Sequence, residues 1–163
     1  FEESYGYLSG TDVRDKDGVN ACMLIAEAAC YYKQKGMTLL DAIEALYRQY
    51  GWFGERTVSV TLNGKDGLQR MRELMDGLRE SPPEAIGPAR VVRIRDYMLN
   101  EPKSDVLYFE LDRGWACVRP SGTEPKIKVY AGAVSASHEE TEKLLDQYIR
   151  ALKGTLGMED TSA

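Results

Sequence analysis

Histidine is almost absent from this 163-residue chain, which holds one, His138. A Ser–His or Cys–His relay needs an imidazole beside its nucleophile. His138 follows Ser137 at the expected start of a helix, where it reads as an exposed terminal residue. Cysteine is scarce too. Cys22, Cys30 and Cys117 have no paired spacing, which argues against a zinc site. Each lies in an apolar stretch, so reduced, buried thiols of a cytoplasmic protein are expected. No apolar run is long enough to span a membrane, and no secretory signal pattern is present. Nor is there an excess of cations. Lys and Arg number 21 against 26 Asp and Glu, for a net charge of −5, so a general nucleic-acid partner is not expected. Any anion site must be a local concentration of donors on an acidic background. Asp12, Asp15 and Asp17 crowd together, but their spacing is not that of a calcium loop, and Asp17 suits a helix N-cap better. The chain begins Phe-Glu-Glu-Ser with no initiator Met, and is expected to be cut from something longer.

What is present is one polar turn between two apolar runs. Arg119-Pro120-Ser121-Gly122-Thr123-Glu124-Pro125 leads into Lys126-Ile127-Lys128-Val129-Tyr130. Gly122 can adopt backbone angles closed to other residues, so that successive N–H groups face one concavity. Ser121 and Thr123 add hydroxyl donors. Arg119 offers a planar fork for two phosphate oxygens, and Lys128 a compact charge. A plain connection, with Ser, Gly and Thr serving turn chemistry alone, competes with this reading. Strand parity favours the anion cradle. Ile127, Val129 and Ala131 share one face of the outgoing strand, which puts Lys128 on the other, near the turn that Arg119 enters.

Around this turn the pattern predicts an α+β fold. Residues 1–18 read as a loop, and 19–35 and 39–50 as helices, the second opened by Thr38 and Asp41 as a capping pair. These two helices have no sheet of their own to cover, so they are assigned to a preceding α/β domain. A linker or hinge is placed at 51–56, where Gly51-Trp52-Phe53-Gly54 breaks the periodicity. The second unit, 57–163, alternates from Val58 to Leu62, then forms a helix over 65–80. Short strands follow at 91–95, 106–111, 115–118 and 126–133, and a last helix is capped by Ser137. Residues after Gly154 are expected to fray. The connections are too short for parallel crossovers, so the sheet is antiparallel with helices on one face.

A second cluster lies in the first loop. Glu2 and Ser4 are two apart on an extended backbone and share a face, a carboxylate and a hydroxyl suited to sugar hydroxyls. A solvated acidic loop is the competing reading.

Both motifs, RPSGTEPKIKVY and the upstream FEESYGYLSGTDVRDKDG, resemble the α-D-phosphohexomutase superfamily, and within it the bacterial phosphoglucomutases. The resemblance covers the whole chain and corresponds to roughly the last third of such a four-domain enzyme. It implies that residues 1–50 end the third, sugar-recognition domain and that the rest is the fourth, phosphate-binding domain. It implies that Arg119, Ser121, Gly122, Thr123 and Lys128 hold the substrate phosphate that is not being transferred. Glu2, Ser4 and Lys16 are implied to contact the sugar. Some relatives carry Arg where Lys128 stands, and a Lys lacks the bidentate fork. The family's phosphorylated serine and its Mg2+ loop belong to domains not represented here, so no catalytic or metal residue is assigned. The implied reaction of the whole enzyme interconverts glucose 1-phosphate and glucose 6-phosphate through glucose 1,6-bisphosphate. The residues here do not separate glucose from mannose. A non-catalytic module for a phosphorylated ligand is the alternative of another class.

Overall fold

The computed structural model describes residues 6–62, 64, 66–99, 101–122 and 124–157. It divides into two compact units, Phe1–Tyr50 and Gly51–Ala163.

The first unit holds helices α1 (Gly18–Gln34) and α2 (Leu39–Tyr50). Asp17 caps α1, its carboxylate accepting from the Asn20 N–H at 3.0 Å. Gly36 ends it in a left-handed conformation, φ 71°, where its N–H reaches the Lys33 carbonyl at 3.0 Å. The Thr38–Asp41 box forms in both directions. Thr38 Oγ1 accepts from the Asp41 N–H at 3.1 Å, and Asp41 accepts from the Thr38 N–H at 2.8 Å. These hydrogen bonds hold the Asp41 carboxyl below its ordinary pKa. Local signals thus form both helices, yet little is buried along them. Leu24, Ile25, Leu40, Ile43 and Leu46 are exposed, and Ala42 is the buried residue of α2. Among the described residues of this unit no strand is assigned. The expectation of buried thiols fails for the same reason: Cys22 and Cys30 are exposed. A cysteine on an apolar stripe is buried only if something covers the stripe.

The second unit is a six-stranded sheet in the order β1-β6-β5-β4-β3-β2, antiparallel at every junction. Its strands are β1 (Trp52–Thr61), β2 (Ala85–Ile86), β3 (Ala89–Asp96), β4 (Leu107–Leu111), β5 (Gly114–Pro120) and β6 (Lys126–Ser135). Helices α3 (Gly67–Glu80) and α4 (His138–Thr155) cover one face. Alternation decides which residues meet them. Phe109, Ala116, Val118, Ile127, Val129 and Ala131 are buried against Met71 and Met75 of α3 and Leu144, Leu145, Tyr148 and Leu152 of α4. Each large aliphatic in this layer contributes about 1.5–3 kcal/mol by leaving water. The fold is the expected α+β layer.

Three boundaries differ from the sequence reading. The stretch expected as a linker, 51–56, is strand from Trp52 onward, continuous with the alternation of Val58 and Val60. Gly54 looked like a breaker but serves packing. A Cβ there would come within 2.8 Å of Thr141 Cγ2 on α4. The two-residue strand β2, below the length that periodicity detects, was not expected. At the C-terminal end, Leu156 is buried and its N–H donates to the Leu152 carbonyl at 3.0 Å, so the packed core extends past Gly154. Ser137 caps α4, accepting from the Glu140 N–H at 3.2 Å. The Glu140 carboxylate pairs with Arg113, which holds its pKa down.

Candidate functional site

The uncovered face of the sheet ends at the turn between β5 and β6. Arg119 and Lys128 are directly opposite one another across these two strands, both exposed and both on the face away from the core. Facing residues of an antiparallel pair stand about 4.5–5.5 Å apart at Cα. Like charges so placed destabilise a sheet. Among the described residues neither side chain makes a hydrogen bond or ion pair. Four other arginines of this unit are matched to carboxylates, Arg56 to Glu142 and Asp146, Arg79 to Asp96 and Asp105, Arg95 to Glu110, and Arg113 to Glu140, whereas Arg70, Arg72, Arg90, Arg93 and Arg150 have no such partner among the described residues. An anion between Arg119 and Lys128 would offset their repulsion.

The turn itself is closed by its own backbone. The Ser121 N–H donates to the Lys126 carbonyl at 2.8 Å, and the Lys126 N–H to the Glu124 carbonyl at 2.8 Å. The Lys126 ammonium pairs with the Glu124 carboxylate at 3.0 Å. That pairing neutralises the acid of the turn and leaves Arg119 and Lys128 as the uncompensated charges. The base of the turn is anchored from elsewhere in the chain. The Leu62 N–H, just past β1, donates to the Pro125 carbonyl at 2.7 Å. Gly67, the first residue of α3, lies tight beneath it, since a Cβ there would be 2.4 Å from the Leu62 carbonyl oxygen and 2.9 Å from Pro125 Cβ. The end of β1, the start of α3 and the β5–β6 turn thus form one clasp.

Two details correct the sequence reading of the turn. Gly122 does not use left-handed backbone, and a Cβ added there would meet open space. Neither backbone angle nor packing in this structure requires glycine at 122. The Ser121 N–H also closes the turn instead of facing a concavity, so side-chain donors and charge carry more of any anion binding than backbone does.

Of the other candidates, Thr123, Glu2 and Ser4 lie outside the described residues. Lys16 belongs to the first unit, where its ammonium lies 3.2 Å from the Asp15 carboxylate in an exposed pair. Its loop is closed by the Asp17 N–H donating to the Tyr7 carbonyl at 2.7 Å. Sequence reading missed Gly67 and the Leu62–Pro125 bond. No local signal marks them, because each is a contact between segments far apart in the chain.

Cys117 lies between Tyr108 and Tyr130 in register on the uncovered face, half-buried. Burial pushes its thiol up to about 11, partly opposed by the charge of Arg119. A thiol so protonated is a poor nucleophile at neutral pH. Among the described residues, no group of three or more His, Cys, Asp or Glu converges as a metal-ligand set.

The second unit is thus an antiparallel α+β layer ending in a turn where two cations face one another. The profile described as "Phosphoglucomutase/phosphomannomutase, C-terminal domain" matches residues 59–151. The profile "Phosphoglucomutase/phosphomannomutase, alpha/beta/alpha domain III" matches residues 1–50. The chain belongs to the phosphoglucomutase/phosphomannomutase family. Among curated relatives, the phosphoglucomutase of Staphylococcus aureus (strain bovine RF122 / ET3-1) is 36% identical over 91% of this chain and 30% of its own length. That of Staphylococcus haemolyticus is 32% identical over the same shares. The chain thus spans about 30% of the length of the curated relatives it matches. Among solved structures, the open form of the exocytosis-sensitive phosphoprotein pp63/parafusin from Paramecium, a phosphoglucomutase, is similar. It has a TM-score of 0.62 at 17% identity, over 90% of this chain and 28% of that one, a likeness of fold.

Proposed function

We propose that this chain is the phosphate-clamping, sugar-reading part of a longer phosphoglucomutase that interconverts glucose 1-phosphate and glucose 6-phosphate. In this reading Arg119, Ser121, Gly122, Thr123 and Lys128 hold the substrate phosphate that is not being transferred. Glu2, Ser4 and Lys16 contact sugar hydroxyls. The single observation that carries it is the pair of uncompensated cations, Arg119 facing Lys128, at the mouth of the β5–β6 turn. The residues described here do not fit the family's magnesium, so no step is routed through it. The metal and the phosphoserine are assigned to domains outside this chain, in a cytoplasmic enzyme.

The two ends of glucose 1,6-bisphosphate must take turns in one clamp as the intermediate reorients. A clamp for that task reads phosphate and not the carbon that bears it. Two cations and small hydroxyls on an exposed sheet end suit that demand, because none of them specifies the sugar side of the ester. Ser121 is a holding group in this scheme.

The test is Arg119→Ala in the longer enzyme. Loss of the bidentate charge is expected to lower kcat/KM by about 2–4 kcal/mol of transition-state binding, with KM raised. Unchanged kcat/KM and KM would remove the clamp assignment. The 163-residue chain alone is expected to show no mutase turnover.

A further inference from the structure

The uncovered face of the second unit is organised in rows that run across the strands. The last row on the face away from the core to cross all three strands before the β5–β6 turn is Ser59 on β1, Lys128 on β6 and Arg119 on β5, each directly opposite the next. All three are exposed, and among the described residues none has a hydrogen-bonding or ionic side-chain partner. We propose that Ser59 is a third side-chain ligand of the clamped phosphate, its hydroxyl donating to a phosphate oxygen that Lys128 also faces. The inference rests on the clamp reading given above.

The register is what singles out Ser59. Its nearest competitor is Thr61, two residues along the same exposed face of β1 and opposite Lys126. The Lys126 ammonium is engaged by Glu124 at 3.0 Å, so an anion is less attracted to that row. The next row in the other direction is Thr57, Tyr130, Cys117 and Tyr108, with no cation on β6 or β5. Ser59 alone of these hydroxyls sits beside an uncompensated ammonium. Its strand is held against the turn by the Leu62–Pro125 hydrogen bond, 2.7 Å, three residues further on. A ligand gripping Arg119 and Lys128 therefore has a third donor at a fixed distance on a neighbouring strand. Lys128 lies between the other two, so an anion above it can take Arg119 from one flank and Ser59 from the other, which suits an oxyanion with several oxygens. The hydroxyl donates without adding charge, which keeps the clamp indifferent to how the phosphate is esterified.

The experiment is a titration of the 163-residue chain with inorganic phosphate and with glucose 1-phosphate, at fixed ionic strength, followed by amide chemical shifts. The wild-type chain, Ser59→Ala, Ser59→Thr, Ser59→Asp and Arg119→Ala are compared, with thermal unfolding as a check that each folds. The wild type is expected to shift amides near Ser121 and Lys128, and also at Ser59. Ser59→Ala is expected to weaken phosphate binding three- to tenfold with an unchanged melting temperature, and Ser59→Thr to restore it. Ser59→Asp sets a carboxylate opposite Lys128 and is expected to weaken binding more than tenfold by repulsion, which locates the anion beside this row, while the split between Ser59→Ala and Ser59→Thr reads the hydroxyl itself. Arg119→Ala abolishing binding while Ser59→Ala leaves it intact would overturn the role of Ser59 and keep the clamp, whatever Ser59→Asp does. Wild-type shifts that Arg119→Ala leaves unchanged, or no shifts at all, would overturn both.

Discussion

At the scale of single residues, the chain's chemistry is set by which side chains lack a partner. Among the described residues, Arg119 and Lys128 share with Arg90 and Arg93 the lack of a carboxylate partner, and what sets them apart is that the two cations face one another across a strand pair. Cys117 shows the same logic from the opposite side. Burial favours its neutral thiol and raises its pKa to about 11, from a usual value near 9. At pH 8, Ellman's reagent is therefore expected to modify the exposed Cys22 and Cys30 quickly and Cys117 far more slowly. Cysteine-to-serine variants read by mass would identify each site, and equal rates at all three would contradict the burial of Cys117. The same shift has a sign for stability. The unfolded chain loses this proton near pH 9 while the folded chain keeps it toward pH 11, so stability falls as pH rises through that window.

At the scale of elements, glycines that resemble breakers are packing devices. Gly54 lets β1 pass under α4, and Gly67 lets α3 start against the β5–β6 turn. Gly54→Ala is expected to destabilise the second unit by about 1–3 kcal/mol through overpacking against Thr141 and Leu145, measured by denaturant unfolding. Gly77, on α3 with open space around its Cβ position, is the contrast. Gly77→Ala is expected to stabilise by about 0.5–1 kcal/mol from helix propensity. Equal effects at the two positions would contradict the account of Gly54. These two cases also show what the sequence made legible. Periodicity and caps place the helices and long strands, because burial alternates along Val58–Val60 and Leu107–Phe109–Leu111 as an amphipathic sheet requires. Periodicity does not reveal that Gly54 faces a helix nearly ninety residues later. It therefore misplaced the start of β1 and missed the two-residue β2.

At the scale of the whole molecule, the two units behave differently by construction. The second has a continuous core in which one sheet face meets α3 and α4. The first has two well-capped helices whose apolar residues are largely exposed. In the candidate site, parity along β6 was enough to put Lys128 on the uncovered face near Arg119. That the two are directly opposite, that Glu124 is neutralised by Lys126, and that the turn is clasped by Leu62 and Gly67 are properties of register and long-range contact. No single segment encodes them. The reasons first given for Gly122 and for the Ser121 N–H were local backbone arguments. They failed because the turn uses its own backbone groups to close.

The central claim is that Arg119 and Lys128 form an anion clamp, and its most direct measurement is the melting temperature of the second unit in phosphate against chloride at matched ionic strength. A ligand that binds the folded state at ten times its Kd adds about 1.4 kcal/mol of stability. Phosphate is expected to raise the melting temperature by several degrees over chloride in the wild-type chain, and by none in Arg119→Ala or in Lys128→Ala. An equal rise in those variants, or no rise in the wild type at phosphate concentrations up to saturation, would contradict the clamp.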